Sequence, residues 1–313
     1  MPLLAHKTGR LNAGFTLVEL LVVVMIIGVL IGILIPVVSA VRNRAYEANS
    51  RNQVANLVNA LQRYNADFRS FPGPFHNDQV GPNGTARVVA GQALQGVSRP
   101  ITGAENMLLG LLGGLNVQIN SASTPPTVQA FRYSRDLVGN GPASLNPLAP
   151  KRFAAYLDPA ADELSEGIYR DSNGVTAGDS EIPEFVDRFP EPLPVLYLRA
   201  RPGSIGVLSN GGVPGRYQYD LDQIIAYTAS SIGGNEHGLR EVGAWALPAA
   251  GARFDNALAY FKHPHVVPAV DTSDAKRNET GSSRANDAYI LISAGRDRIY
   301  GTDDDICSFG NVR

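Results

Sequence analysis

An uncharged apolar segment from Leu20 to Val41 limits the possible folds of this chain more than any other feature. As an α-helix, its 22 residues would be about 33 Å long, enough to cross the hydrocarbon core of a bilayer. Lys7 and Arg10 precede it, without any acidic residue. Because positive charges stay on the cytoplasmic side, we expect one membrane-spanning helix with its N-terminus in the cytoplasm and the rest outside.

A carboxylate stands at the entrance of this apolar segment. The sequence Gly-Phe-Thr-Leu-Val-Glu occupies positions 14–19 and leads directly into it. A charged side chain at membrane depth is costly, so Glu19 is expected to have a function and a neutralising partner. The order of basic leader, glycine, aromatic residue, acid and long apolar segment resembles the type III signal of type IV pilins and type II secretion pseudopilins.

The resemblance implies a processing step and a set of partners. Prepilin peptidase would remove residues 1–14 by cutting between Gly14 and Phe15, and the new N-terminus would be methylated. The amine of Phe15 would then neutralise Glu19 of the same chain or of a neighbouring chain, and the family favours the pairing between subunits. The implied partners are prepilin peptidase, sister pilin or pseudopilin subunits, the inner-membrane assembly platform and membrane lipid.

Two glycines and a proline interrupt the apolar segment. Gly28 and Gly32 are one helical turn apart and would allow close approach of another helix, while Pro36 favours a local bend or break. The same residues are frequent in membrane helices without any such role. Pro36 is the 22nd residue counted from Phe15, where the pilin family commonly has a proline. Together with Glu19, they are the predicted assembly residues.

Two other interpretations of the N-terminus compete with the pilin signal. An ordinary secretory signal could end at the small residues Val38-Ser39-Ala40, but the apolar segment is long for such a signal and Glu19 interrupts the approach to it. A plain membrane anchor is the second alternative, and it leaves Glu19 unexplained.

Helical periodicity continues beyond the membrane segment. Val54, Leu57, Leu61 and Phe68 belong to one apolar stripe, and the first strong stop is Phe71-Pro72-Gly73-Pro74. The pattern predicts a helix over 15–70, with its membrane part at about 20–41, and a loop-rich head over 71–313. We expect an α+β fold with a small antiparallel sheet. Shorter elements are predicted as helices at 105–115, 152–165, 221–229 and 255–262, and as strands at 193–199 and 288–293.

The head ends in an acidic loop at 295–306. Four aspartates lie within nine residues, and their repulsion calls for a positive charge, either from Arg296 and Arg298 or from Ca²⁺, which prefers carboxylate and carbonyl oxygens. The loop resembles the C-terminal calcium site of major pseudopilins. On that resemblance the side-chain ligands would be Asp297, Asp303 and Asp305, with Asp304 in reserve, and the carbonyls would come from Ile299 and Gly301. The alternative is a solvated acidic turn paired with the two arginines.

Composition excludes several classes of function. The net charge is −2 and the head has no basic stripe with interleaved aromatics, so nucleic-acid binding is not expected. The single Cys307 allows no internal disulfide. No motif of a hydrolase, a metalloprotease or a phosphate-binding loop occurs, and we expect neither an organic cofactor nor enzymatic activity.

The sequence thus predicts a structural subunit of a type II secretion pseudopilus or a type IV pilus-like filament. We expect a single-pass inner-membrane protein with a periplasmic or extracellular head, which enters a filament on assembly. The alternative is a membrane-tethered binding protein or hydrolase that uses the signal only for export.

Overall fold

A computed structural model describes residues 16–81, 88–89, 92–97, 100–166, 182–201, 206–209, 217–228, 236–240, 252–254, 257–262, 288–310 and 312. The chain divides into two compact units, Met1–Ala45 and Tyr46–Arg313. Gly14 and Phe15 lie outside the described residues.

The long N-terminal helix predicted from the sequence is confirmed. Helix α1 runs from Leu17 to Phe68 over 52 residues and stays helical through Pro36. Its buried residues recur at helical spacing, which is typical of a helix that packs one face against a core: Ser50, Gln53, Val54, Leu57, Ala60 and Leu61. The helix closes at Arg69, whose N–H donates to the carbonyl of Asn65 at 2.9 Å.

The α+β class is also confirmed, with several small sheets. The strands are β1 (Val88–Val89), β2 (Gln92–Gln95), β3 (Gly113–Asn120), β4 (Thr127–Val138), β5 (Leu164–Ser165), β6 (Glu184–Phe185), β7 (Leu196–Arg199), β8 (Gly206–Ser209), β9 (Tyr217–Asp220), β10 (Tyr289–Ser293) and β11 (Ile306–Cys307). They form a four-stranded sheet in the order β1-β2-β4-β3, a three-stranded sheet β11-β10-β7 and the pairs β5-β6 and β8-β9. Pairing is antiparallel except in β2-β4 and β8-β9.

The sheet β11-β10-β7 separates two hydrophobic cores in the second unit. Leu291 of β10 and Tyr197 of β7 belong to one core, together with α1 and the β3–β4 hairpin. Their neighbours Ile290, Ile292 and Leu198 belong to the other, because successive side chains of a strand point to opposite faces. All five residues of β10 are buried. The predicted strands at 193–199 and 288–293 therefore form the centre of this unit.

Three short helices complete the described part: α2 (Gly103–Leu111), α3 (Ile225–Thr228) and α4 (Ala257–Phe261). The helices predicted at 221–229 and 255–262 correspond to α3, with the 3₁₀ turn Leu221–Gln223 before it, and to α4. The helix predicted at 105–115 begins at Gly103 and ends at Leu111, because Gly113 and Gly114 take positive φ angles of 87° and 114° and start β3.

The helix predicted at 152–165 is wrong. The segment contains only the 3₁₀ turn Ala161–Glu163 and strand β5. Its backbone bonds with other segments: the N–H of Phe153 donates to the carbonyl of Pro142 at 2.9 Å and that of Tyr156 to Leu111 at 3.0 Å. Pro159 cannot donate a helical hydrogen bond either, so a continuous helix does not form.

Candidate functional site

The acidic loop connects β10 to β11, which pair in antiparallel register with Ser293 opposite Ile306. Gly295 turns the chain with φ 62°, and a Cβ there would lie 2.3 Å from the carbonyl oxygen of Asp304. Glycine is therefore required at this close approach.

The carboxylate of Asp304, the predicted reserve ligand, stabilises the turn by accepting hydrogen bonds within it. Its Oδ2 accepts the N–H groups of Arg296 at 2.7 Å and of Asp297 at 3.0 Å. Its Oδ1 accepts the hydroxyl of Thr302 at 2.6 Å. Both carboxylate oxygens thus satisfy donors of the loop, and Asp304 acts as an internal cap.

Asp305 is buried and accepts three hydrogen bonds. Its Oδ2 accepts the hydroxyl of Tyr260 at 2.6 Å and the N–H groups of Gly301 at 2.8 Å and Thr302 at 3.3 Å. Its Oδ1 is buried and has no hydrogen-bond partner within the described part of the chain. Burial raises the pKa of Asp305 well above the ordinary value for an aspartate, and the charges of Asp304 and Asp297 add to the rise.

The other predicted ligands occupy the outer part of the loop. Asp297 lies at the surface with its carboxylate turned partly into the loop, where its Oδ1 accepts the N–H of Ile299 at 2.8 Å. Loss of solvation, with a smaller contribution from the charge of Asp304, raises the pKa of Asp297 to about 6. Asp303 is half-buried. The carbonyl of Ile299 accepts the Thr302 hydroxyl at 3.2 Å, and that of Gly301 accepts the N–H of Phe254 at 2.7 Å.

Arg298, predicted to neutralise the loop, forms its ion pair with a distant aspartate. Its guanidinium makes a bidentate contact with Asp187, at 2.7 Å from Nη1 to Oδ2 and 3.0 Å from Nη2 to Oδ1. Asp187 also accepts the hydroxyl of Ser293 at 3.0 Å and the N–H of Leu193 at 3.2 Å. Among the described residues, no group of three or more His, Cys, Asp or Glu side chains is arranged to hold a metal ion.

The described residues of the first unit form a helical surface of exposed apolar side chains. Leu17, Val23, Leu30 and Val41 of α1 are 79%, 47%, 61% and 62% exposed, far more than a soluble helix leaves uncovered in one patch. The helix contains an 18-residue window with a mean hydropathy of 3.3, so its length and composition suit a membrane span. A Cβ added at Gly28 or Gly32 would meet nothing within 4 Å, so both positions are open to an approaching chain.

At the N-terminal end of α1, Glu19 folds back onto Thr16. Its Oε2 accepts the N–H of Thr16 at 2.9 Å and the hydroxyl of Thr16 at 2.8 Å. The N–H of Glu19 in turn donates to the Thr16 hydroxyl oxygen at 3.3 Å. This reciprocal arrangement is a capping box, which satisfies backbone groups that the first turn of a helix leaves unpaired.

Comparison with known proteins finds a family match in this N-terminal region. The family model described as the prokaryotic N-terminal methylation motif matches residues 9–35. The chain fits a type IV pilin-like protein. No curated protein and no solved structure matches it.

The motif in this pilin-like chain implies processing by prepilin peptidase and assembly with other pilin subunits. The predicted cleavage site, Gly14 and Phe15, lies outside the described residues, so the approach of the Phe15 amine to Glu19 stays a prediction. Sequence reasoning missed Thr16 as a partner of Glu19. The Thr-x-x-Glu spacing is itself a signature of a capping box and would have identified it.

Proposed function

We propose that this pilin-like chain is a structural subunit of a type II secretion pseudopilus or a type IV pilus-like filament, assembled through its N-terminal helix. The observation that carries the proposal is the continuous exposed apolar surface of α1 from Leu17 to Val41, directly after the methylation motif. Exposure of such a surface to water is unfavourable, so other apolar groups must cover it. Lipid covers this surface before assembly, and the helices of sister subunits cover it in the filament.

Glu19 supplies the specificity that an apolar surface lacks. Among the described residues, its carboxylate accepts hydrogen bonds from the exposed Thr16, through groups that a neighbour can reach. A methylated amine at Phe15 of an incoming subunit keeps its positive charge and attracts this carboxylate. Because an unpaired carboxylate is unfavourable in lipid, the attraction selects one axial register during growth. The inner-membrane assembly platform brings the two subunits together.

Mass spectrometry of the protein purified from its host tests the proposed processing. We expect the mature chain to begin at Phe15 and to be heavier by one methyl group. Replacing Gly14 with a bulky residue such as valine is expected to leave residues 1–14 attached, because the prepilin signal that this chain resembles has a glycine before the cut. A mature chain that begins at Met1 or at Val41 would contradict the proposal.

The proposed calcium ion in the acidic loop is supported by Asp305 and by the charge around it. One buried oxygen of Asp305 lacks a hydrogen-bond partner within the described part of the chain. Burial raises the pKa of Asp297 and of Asp305 and so disfavours their charged forms, and a bound cation would stabilise both carboxylates. Asp303 and Asp297 would supply the further carboxylates that Ca²⁺ prefers after a rearrangement of the loop, because the described residues contain no preformed group of three such side chains. Asp304 is already committed to three donors of the turn and is the weakest candidate among the four.

Removal of calcium is expected to destabilise the second unit. At free Ca²⁺ of about 100 times its dissociation constant, binding stabilises a folded protein by about 2.7 kcal/mol, so chelation should lower the melting temperature. The double substitution Asp303→Asn with Asp305→Asn should abolish this sensitivity, while Asp136→Asn, at an exposed position in β4, should preserve it. If chelation leaves the melting temperature of the wild-type chain unchanged, the loop does not bind calcium.

A further inference from the structure

Two arginines follow the apolar segment of α1. Arg42 comes directly after Val41, and Arg44 lies two residues further along the same helix. Both residues are exposed, and within the described part of the chain neither guanidinium makes a hydrogen bond or an ion pair. Their charges are therefore accessible to a partner outside this chain.

The first acidic residue after the apolar segment pairs with a different arginine. Glu47 accepts from Arg51, one helical turn further on, at 2.8 Å from Nη2 and 3.2 Å from Nε to the same Oε1. No aspartate or glutamate occurs between Leu20 and Tyr46. The charge of Arg51 is thus compensated by its own helix, and the end of the apolar segment carries two positive charges and no negative one.

The apolar segment sets the level of these arginines in a bilayer. Its 22 residues extend over about 33 Å as a helix, slightly more than the thickness of the hydrocarbon core. Ser39 is its one polar residue, and its hydroxyl donates to the carbonyl of Ile35 at 3.1 Å. Lipid can therefore surround the segment up to Val41, and this places Arg42 and Arg44 among the headgroups.

Arg42 and Arg44 lie on opposite sides of α1. Successive residues of an α-helix are rotated by about 100°, so two positions that are two residues apart differ by about 200°. One headgroup cannot reach both sides of a helix that is about 10 Å wide. Each arginine therefore contacts a separate lipid, and its aliphatic stem lets the guanidinium reach the level of the phosphate.

We propose that Arg42 and Arg44 bind the phosphate groups of anionic phospholipids in the leaflet where α1 leaves the bilayer. This inference rests on the membrane span in the proposed function and adds the class of lipid that the span selects. A guanidinium offers paired N–H groups to phosphate oxygens. A zwitterionic headgroup carries its own cation beside the phosphate, so the net attraction is to anionic lipid. The two contacts hold α1 at one depth before assembly.

Electron spin resonance of spin-labelled lipids tests the inference, with the full chain reconstituted at low salt in phosphatidylcholine vesicles. A label on phosphatidylglycerol or on phosphatidylcholine reports how much of each lipid the protein immobilises. We expect phosphatidylglycerol to associate about threefold more strongly or better. Arg42→Gln with Arg44→Gln should lower this preference by about twofold or more. Lys7 and Arg10 precede the segment in every variant, so their contribution cancels in the comparison.

Arg132→Gln with Arg135→Gln is the matched control. Both are exposed arginines of β4, and their substitution also removes two positive charges. It should leave the preference for phosphatidylglycerol unchanged, because these residues do not adjoin the apolar segment. Arg42→Lys with Arg44→Lys should retain most of the preference, since lysine keeps the positive charge.

The outcomes separate this inference from the proposed function. The inference is overturned if the wild-type chain immobilises both lipids equally, or if the control lowers the preference as much as Arg42→Gln with Arg44→Gln does. Immobilised phosphatidylcholine in either case leaves the membrane span intact. A chain that immobilises neither lipid does not insert α1 into the bilayer, and this result would overturn the membrane span together with the lipid contacts.

Discussion

Replacing Arg298 with alanine is expected to lower the free energy of unfolding by about 3–5 kcal/mol, because it leaves the carboxylate of Asp187 buried without its cation. Asp187 is 2% exposed, and the side chain of Arg298 is 11% exposed. The guanidinium also donates to the carbonyls of Gly295 and Glu191 and stacks on the ring of Phe189, at 4.9 Å from its centroid. These contacts tie the acidic loop to the segment around β6.

Urea unfolding of the full chain in detergent, followed by near-ultraviolet circular dichroism, measures this effect. Arg296→Ala is the control, because Arg296 is an exposed arginine in the same loop, and its substitution should change stability by less than about 0.5 kcal/mol. The double substitution Asp187→Leu with Arg298→Met should lower the free energy of unfolding much less than Arg298→Ala does, since it removes both charges together. If Arg298→Ala lowers the free energy of unfolding by no more than the control does, the pair of Arg298 and Asp187 does not stabilise the unit.

Replacing Glu19 with alanine is expected to reduce incorporation into filaments by about tenfold or more, while insertion into the membrane remains normal. The helix keeps its apolar length, so insertion does not require the carboxylate, and alanine removes one unfavourable charge from the membrane. Assembly loses the group that the amine of an incoming subunit pairs with. Fractionation of cells into membranes and sheared filaments, followed by immunoblotting, separates the two effects.

Glu47→Ala provides the matched control for this experiment. Glu47 is also an acidic residue of α1, but it lies beyond the apolar segment and pairs at the surface with Arg51, an interaction of little energetic weight. Its loss should leave filament incorporation unchanged. Normal incorporation of Glu19→Ala would contradict a role in assembly and would favour the alternative of a membrane-tethered binding protein.

Local patterns predicted the long helix and the central strands correctly. Helix α1 has a continuous periodicity without an early stop signal, and the apolar run Leu-Pro-Val-Leu-Tyr-Leu-Arg at 193–199 contains β7. The β3–β4 hairpin was not predicted from the sequence. Ala130 and Phe131 are adjacent and both buried, and β3 pairs with β4 through two register shifts. Such irregularities break the alternation by which a strand is recognised.

In the acidic loop, the sequence predicted the charged residues but not the contacts between them. The sequence identified four aspartates whose charge had to be neutralised and two arginines that could contribute positive charge. It did not reveal that Asp304 caps the turn or that Arg298 pairs with Asp187, which is 111 residues away.

The sequence by itself predicted a membrane-spanning helix near the N-terminus and a processing signal before it. Both properties depend on contiguous residues, because the length and charge of a single segment decide whether it can span a bilayer. Only the tertiary structure decided which charges are paired and which are buried. Those outcomes depend on segments far apart in the chain being brought together by the two cores on either side of β10.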